Sequence, residues 1–155
     1  MNRPYKFTEA LSAPLFVSPT SYPDNTLTIQ DLPLSASCVD IYLSVGEVAG
    51  LLERHPDWPG VILTAQCQYV GLLTRRTCSE FLGAFLGTGI FSKITIFAFF
   101  EKHPACGLVL DGGTSVPQAA KAALKREGAS IYDPIVVRLG EGQYGLLDMP
   151  ILLQA

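Results

Sequence analysis

The sequence predicts a mixed α/β (α+β) fold made of two copies of one supersecondary unit. Three observations lead to this prediction: two helices start with the same capping pattern, each helix is followed by two short apolar runs typical of a β-hairpin, and the whole pattern occurs twice. With 155 residues, of which 48% are hydrophobic, the chain can bury a substantial core in one domain or in two closely packed halves.

Two parts of the chain align with each other at nearly constant offsets. Asp40 aligns with Asp111, a shift of 71 residues, and after a change in loop length the shift becomes 74 residues for Gly71 and Gly145. Internal self-similarity of this kind indicates a duplicated structural unit. We therefore divide the chain into an N-terminal arm over residues 1–25, a first repeat over residues 26–90 and a second repeat over residues 91–155.

Each repeat contains a capped helix near its start. Ser44-x-x-Glu47 and Ser115-x-x-Gln118 are capping boxes, in which the serine oxygen accepts an orphan backbone N–H and the residue three positions later reaches back. Apolar residues at helical spacing follow both serines, so each helix should place one face on a core. The predicted helix ends lie before Pro56 and at Gly128.

A β-hairpin is predicted after each of these helices. Both first strands are entered through proline or glycine, lead into a polar turn, and are followed by a second apolar run. A closing helix follows Thr74 in the first repeat, whereas Pro150 should leave its counterpart in the second repeat shortened or absent. The predicted strands are residues 61–64, 69–73, 135–138 and 144–147.

The apolar stretch of residues 81–100 has two interpretations. It is long enough to span a bilayer and contains a single charge, Lys93. Glycines such as Gly87 and Gly89 interrupt it, however, and its second half is rich in β-branched and aromatic residues. We therefore favour the end of a helix, a glycine turn and then a strand or extended linker over residues 93–100, and we expect no membrane partner.

Charge and cysteine content argue against several other classes of protein. The net charge is −3 and no basic run is longer than Arg75-Arg76, so we expect no nucleic-acid partner. The first residues carry charges and a proline that interrupt any secretory signal, which predicts a cytoplasmic protein. The cysteines form no Cys-x-x-Cys pair, so we expect reduced, buried thiols and no metal site. They are Cys38, Cys67, Cys78 and Cys106.

The order of elements and two phrases of the sequence resemble a known family. The phrases YVGLLTRRTCSEFL and YDPIVVRLGEGQYGLLDMPILLQ resemble the tandem cystathionine-β-synthase (CBS) domain pair, or Bateman module, over residues 31–154. The chain is most similar to the CBS-like pairs that precede diguanylate cyclase or histidine kinase domains in bacterial signalling proteins. The resemblance implies two β-α-β-β-α repeats packed through their sheets with pseudo-two-fold symmetry.

The same resemblance implies a function. It predicts a non-catalytic regulatory or interaction module that forms a homodimer and serves a signalling output protein such as a kinase or diguanylate cyclase. Ligand-binding members of the family read Gly-x-x-Thr/Ser-x-x-Asp where a strand meets a helix, and they bind adenine nucleotides between the repeats. In this chain Thr77 replaces the first aspartate, and in the second copy Asp148 takes the hydroxyl position and Ile151 the aspartate position. The motifs are thus degenerate, and we expect no bound cofactor; an adenine nucleotide ligand is the alternative.

Residues at the start of the first closing helix are candidate ligand contacts. Backbone N–H groups and the guanidinium groups of Arg75 and Arg76 can hold a phosphate or another anion beside Thr74 and Thr77. The alternative is a solvated helix start whose arginines contact water or carboxylates. A small-molecule sensor that binds an adenine nucleotide or other anion between the repeats is therefore the second hypothesis for function.

Aromatic residues at the two strand entries are candidate ligand contacts too. Trp58 precedes the first strand entry and Tyr132 the second, beside the place where the resemblance implies an adenine ring. Both rings can stack on a base, or they can cover the edge of a core instead. With Asp148, they complete the set of predicted ligand contacts.

Catalysis is not expected from this sequence. A nucleophile needs a positioned base, and the two histidines, His55 and His103, lie in predicted loops. His103 is close in sequence to Cys106, which leaves a thiol-dependent enzyme as a third hypothesis. No third residue is suggested that would orient such a pair, so we predict that the protein is not an enzyme.

Overall fold

A computed structural model describes residues 26–85, 93–102 and 107–155 of the chain. The elements in chain order are a 3-10 helix Ile29–Asp31, β1 Cys38–Asp40, α1 Val45–Arg54, β2 Gly60–Ala65, β3 Gln68–Thr74, α2 Arg75–Phe85, α3 Ile96–Lys102, β4 Leu108–Asp111, α4 Val116–Leu124, a 3-10 helix Gly128–Tyr132, β5 Ile135–Gly140, β6 Gln143–Leu147 and α5 Met149–Gln154.

Two three-stranded sheets repeat one topology. Their strand orders are β1-β2-β3 and β4-β5-β6, and in each sheet the first strand is parallel to the middle strand while the third is antiparallel to it. The register repeats as well, because Asp40 faces Thr64 and its counterpart Asp111 faces Arg138. The predicted α/β fold of two related units is confirmed, as are both hairpins.

The helix starts follow the capping prediction closely in the first repeat and partly in the second. Ser44 Oγ accepts from the N–H of Glu47 at 3.1 Å, and Glu47 Oε2 accepts from the N–H of Ser44 at 2.8 Å, which completes the capping box. Ser115 Oγ accepts from the N–H of Gln118 at 3.4 Å, without the return bond. The prediction that the second helix ends at Gly128 was wrong, because α4 ends at Leu124 and Gly128, with φ of +57°, begins a 3-10 helix.

Residues 96–102 form helix α3, so the predicted strand over residues 93–100 was wrong. Thr95 Oγ1 accepts from the N–H of Ala98 at 3.2 Å and starts the helix. Ile96 and Phe99, one turn apart, are both buried in the core of the first repeat. Tertiary packing of this apolar face thus outweighs the β propensity of the residues. The predicted glycine turn lies outside the described residues, and no helix of the described ranges is both long and apolar enough to cross a bilayer.

The two sheets pack against each other through equivalent residues. Ile62 and Leu72 of the first sheet meet Val136 and Leu146 of the second, and all four side chains are at most 1% exposed. The offset of 74 residues relates the two members of each pair, so the contact has the predicted pseudo-two-fold symmetry. The opposite face of each sheet is covered by helices. Each repeat therefore has an apolar core of its own, in addition to the core that the two sheets share.

The segment at the start of each repeat packs on the other repeat; these two exchanged segments are residues 28–35 and 94–100. Thr28 pairs with Ser115, and Thr95 pairs in the same antiparallel way with Ser44, the counterpart of Ser115. Ile29 is fully buried in the core of the second repeat, although it belongs to the first. The division into residues 26–90 and 91–155 remains a prediction from the sequence. In the structure, residues of each range pack in the core of the other.

Candidate functional site

At the start of helix α2, where the first Gly-x-x-Thr motif lies, the two threonine hydroxyls are engaged in local hydrogen bonds. Thr74 Oγ1 accepts from the N–H of Thr77 at 3.1 Å and donates to Thr77 Oγ1 at 2.9 Å. Thr74, the last residue of strand β3, is only 2% exposed. The hydroxyl that the motif would offer to a phosphate is therefore used as a helix cap.

The glycines of both motif copies are explained by packing. A Cβ on Gly71 would lie 2.3 Å from the ring of Phe100, and a Cβ on Gly145 would lie 2.9 Å from the side chain of Leu34. Phe100 belongs to α3 and Leu34 follows the first 3-10 helix, so the two exchanged segments cover equivalent glycines. The motif glycines thus leave room for side chains of the other repeat, which accounts for them without a ligand.

Arg75 is held by the backbone at the end of helix α1. Its Nε donates to the carbonyl of Trp58 at 2.7 Å, and its Nη2 donates to the carbonyls of Leu52 at 3.0 Å and His55 at 2.7 Å. The last carbonyls of a helix have no partner within the helix, so the guanidinium satisfies groups that would otherwise stay unpaired. Arg75 therefore acts first as a structural cap.

Arg76 connects the two repeats through one carboxylate, that of Asp133. Its Nη2 lies 3.1 Å from Asp133 Oδ1, and its Nη1 lies 3.7 Å from Glu80 Oε1 on the same helix. The side chain of Arg76 is 47% exposed and that of Asp133 only 17%. An anion at this position would have to displace or share a cation that already faces two carboxylates.

The two strand-entry aromatic residues differ in their surroundings. The ring of Trp58 stacks on that of His55, with centroids 4.1 Å apart and planes 6° apart, and it packs at the edge of the first core. Tyr132, at the end of the second 3-10 helix, is 75% exposed. One face of Trp58 is therefore covered, whereas Tyr132 is open to a ligand or a partner.

In the second repeat a different arginine caps the end of helix α4, the counterpart of α1. Met149 stands where the first repeat has Arg75, and Arg126 takes over from a non-equivalent position. Arg126 Nη2 donates to the carbonyl of Asp133 at 2.8 Å and that of Ile131 at 3.2 Å, and its Nε donates to the carbonyl of Ala123 at 3.1 Å. Burial lowers the pKa of Arg126, and the charge of Asp133 opposes that shift. Sequence reasoning missed this residue, because nothing in the repeat alignment pairs it with Arg75.

Tyr132 and Asp148 line one groove beside helix α5. The groove has a volume of about 450 Å³, within the range of small-molecule sites. Asp148 is half-buried and caps α5, with Oδ1 accepting from the N–H of Met149 at 3.0 Å. The other lining residues are Met149, Pro150, Leu153 and Gln154.

The predicted ligand contacts are therefore divided among three places. Thr74, Arg75 and Thr77 are engaged inside the first repeat, as is the covered ring of Trp58. Arg76 reaches across to the second repeat, where it pairs with Asp133, the residue that follows Tyr132. The groove that brings together Tyr132 and Asp148 is the strongest candidate site. Helix α5 forms one wall of this groove; it is short, as predicted, and Pro150 lies in its first turn without interrupting it.

The described thiols show little sign of catalytic activation. Burial raises the pKa of Cys78 to about 11 and also raises that of Cys38, so both thiols are protonated near neutral pH. Cys38 and Cys67 are exposed, contrary to the prediction of buried thiols, and Cys78 is buried. His103 and Cys106, the predicted thiol pair, lie outside the described residues. Within the described ranges, no three histidine, cysteine or acidic side chains come together as metal ligands.

Solved structures share this fold with low sequence identity. A CBS-domain containing protein from Agrobacterium tumefaciens is 15% identical, with a TM-score of 0.58 over 86% of this chain and 96% of that chain. The CBS domains of a transcriptional regulator from Streptococcus pneumoniae are 14% identical, with a TM-score of 0.60 over 84% and 100%. CBSX2 in complex with AMP is 17% identical, with a TM-score of 0.58 over 82% and 93%.

These likenesses establish the fold of a CBS-domain pair for this chain. No family model matches the sequence, and no curated protein matches it.

Proposed function

We propose that this chain is a non-catalytic regulatory module of the CBS-pair type that acts through a protein partner. The fold supports a regulatory CBS module. The observation that carries the rest is the state of the first motif: the hydroxyls of Thr74 and Thr77 bond to each other, and Arg75 is used by backbone carbonyls. Because the polar groups of this nucleotide motif are used by the fold itself, we propose that the module works by binding another protein chain and not by binding a nucleotide.

In this proposal the module is a cytoplasmic homodimer in a signalling assembly, with an output protein such as a kinase or diguanylate cyclase. Exposed apolar side chains away from the α5 groove support association: Leu124 at the end of α4 is 56% exposed and Tyr42 after β1 is 77% exposed. Large apolar side chains at the surface are the usual contacts of protein interfaces. The dimer and the output protein are the parts of this proposal that most need measurement.

A second candidate function is a small-molecule sensor. The groove of Tyr132 and Asp148 favours it, because a concave site with an exposed aromatic ring and a few polar groups is the usual form of a ligand site. An adenine nucleotide or another anion would need a cation, and Arg75 and Arg76 are both engaged. We therefore rank the sensor second, and we regard an enzyme that uses Cys106 as the least supported function.

Sedimentation and thermal unfolding test the two functions together. We expect a dimer at micromolar concentrations, and no saturable stabilisation by AMP, ATP, GTP or phosphate. A ligand at about one hundred times its dissociation constant would add about 2.7 kcal/mol to the free energy of unfolding, a shift of several degrees. A monomer at every concentration would contradict the dimer.

An arginine variant and its control would locate any anion that does bind. A nucleotide shift that is lost in Arg76→Ala and kept in Arg138→Ala would place the anion at the start of α2 and favour the sensor. Arg138 is a suitable control, because it is also exposed and also paired with a carboxylate, that of Asp111.

A further inference from the structure

The groove beside α5 combines an exposed aromatic ring, an apolar wall and one carboxylate. Tyr132 presents its ring at 75% exposure, and Leu153 is 57% exposed beside it. Met149 and Pro150 extend the apolar wall, and Met149 is itself buried. An apolar body with an aromatic or aliphatic surface would fit this wall better than a phosphate would.

The charge of the groove comes from one residue. Asp148 is the only charged side chain among the lining residues. Its Oδ1 accepts from the N–H of Met149, whereas its Oδ2 has no hydrogen-bond partner among the described residues. The guanidinium groups of Arg126 and Arg76 do not line the groove and are engaged in other contacts: Arg126 donates to backbone carbonyls and to Met149 Sδ, and Arg76 faces Asp133 and Glu80.

The first repeat has no equivalent groove chemistry. At the positions that correspond to Pro150 and Leu153 it has Arg76 and Ser79, and its strand-entry ring, Trp58, is covered by His55. Binding of the kind described here would therefore occur once in each chain.

We propose that the groove binds an organic cation that carries an apolar or aromatic group. The cationic group lies against the face of Tyr132 and beside the carboxylate of Asp148, where an exposed ring and an opposite charge both favour it. The apolar group lies on Pro150 and Leu153. This ligand class is opposite in charge to a nucleotide. The inference rests on the sensor candidate above and requires nothing of the dimer.

Three probes with one aromatic body and different charges test the ligand class. They are 2-phenylethylammonium, 2-phenylethanol and phenylacetate, and their dissociation constants are measured by titration NMR on the full chain. We expect the ammonium compound to bind at about one per chain with a dissociation constant on the order of 1 mM. The alcohol should bind about three-fold more weakly, and phenylacetate more weakly still.

Two variants and one control locate the site. Asp148→Asn removes the charge and keeps the helix cap, since asparagine caps as well as aspartate, and Tyr132→Leu removes the ring at an exposed position. Each should weaken binding of the ammonium compound about three-fold. Asp40→Asn is the matched control, because Asp40 also accepts a backbone N–H, that of Tyr42, in the other sheet.

The outcomes are decisive in both directions. Preference for the cation, together with weaker binding in both groove variants, supports the proposal. Three results would each overturn it. Phenylacetate could bind as tightly as the ammonium compound or more tightly, or either variant could bind the ammonium compound as well as the natural chain does. The third is that none of the three probes binds at about 20 mM. Sedimentation of the same samples reports the dimer separately, so failure of the groove leaves the regulatory module standing.

Discussion

Arg126 donates a hydrogen bond to the Sδ atom of Met149 at 3.4 Å, and Met149 stands in the second repeat where Arg75 stands in the first. Both arginines satisfy carbonyls at the ends of equivalent helices, α1 and α4, but they come from different elements, α2 in one case and the residues after α4 in the other. Both repeats thus need a side-chain donor at this helix end, but they take it from non-equivalent positions in the sequence.

Replacing either arginine should destabilise the fold. Arg75→Met and Arg126→Met each leave half-buried carbonyls without a donor, so we expect the free energy of unfolding to fall by about 2 kcal/mol in urea. Arg138→Met is the control, with an expected loss below about 0.5 kcal/mol, because its partner Asp111 and its own side chain are both more than half exposed. Equal losses in all three variants would contradict the capping role.

The contact between Arg76 and Asp133 should couple the repeats weakly. Their charged atoms lie 3.1 Å apart, but the arginine is 47% exposed, so solvent and salt screen the pair. A double-mutant cycle of Arg76→Ala and Asp133→Asn should give a coupling of about 0.5 kcal/mol at low salt and close to zero at about 1 M NaCl. A coupling that does not change with salt would mean that the contact acts through packing.

The exchanged segments should stabilise the repeats on which they pack. Ile29→Ala removes a fully buried side chain and should cost about 3 kcal/mol, whereas Leu27→Ala, at a residue 47% exposed, should cost less than about 1 kcal/mol. Hydrogen exchange should locate the effect, with protection falling first in β5 and β6, because Ile29 belongs to the core of the second repeat. Loss confined to β2 and β3 would contradict the exchanged packing.

Cys78 should make stability depend on alkaline pH. Burial raises its pKa from 9.0 to about 11 in the folded protein, so folding favours the protonated thiol. Its contribution is complete below pH 9, where the thiol is protonated in both states, and is lost as the pH rises towards 11. From pH 8 to pH 11, the natural protein should lose about 2 kcal/mol more than Cys78→Ala. Equal losses in both proteins would show that the folded thiol titrates normally.

Local patterns in the sequence are enough to predict the fold class and the doubled unit. The serine caps, the apolar periodicity after Ser44 and Ser115, and the four hairpin strands depend on interactions between residues close in the chain, so a single sequence shows them. Of the predicted ligand contacts, Tyr132 and Asp148 line one groove, and their role in binding stays a prediction.

Only the tertiary structure decided the exchange of segments and the roles of the arginines. Thr28 and Thr95 stand in similar local sequences, LTI and ITI, and each segment packs on the repeat to which it does not belong. That choice depends on contacts distant in sequence. Residues 96–102 became a helix for the same reason, because burial of Ile96 and Phe99 outweighs local propensity. Whether an arginine is free for a ligand depends on which carbonyls lie within its reach, and the fold alone brings those carbonyls to Arg75.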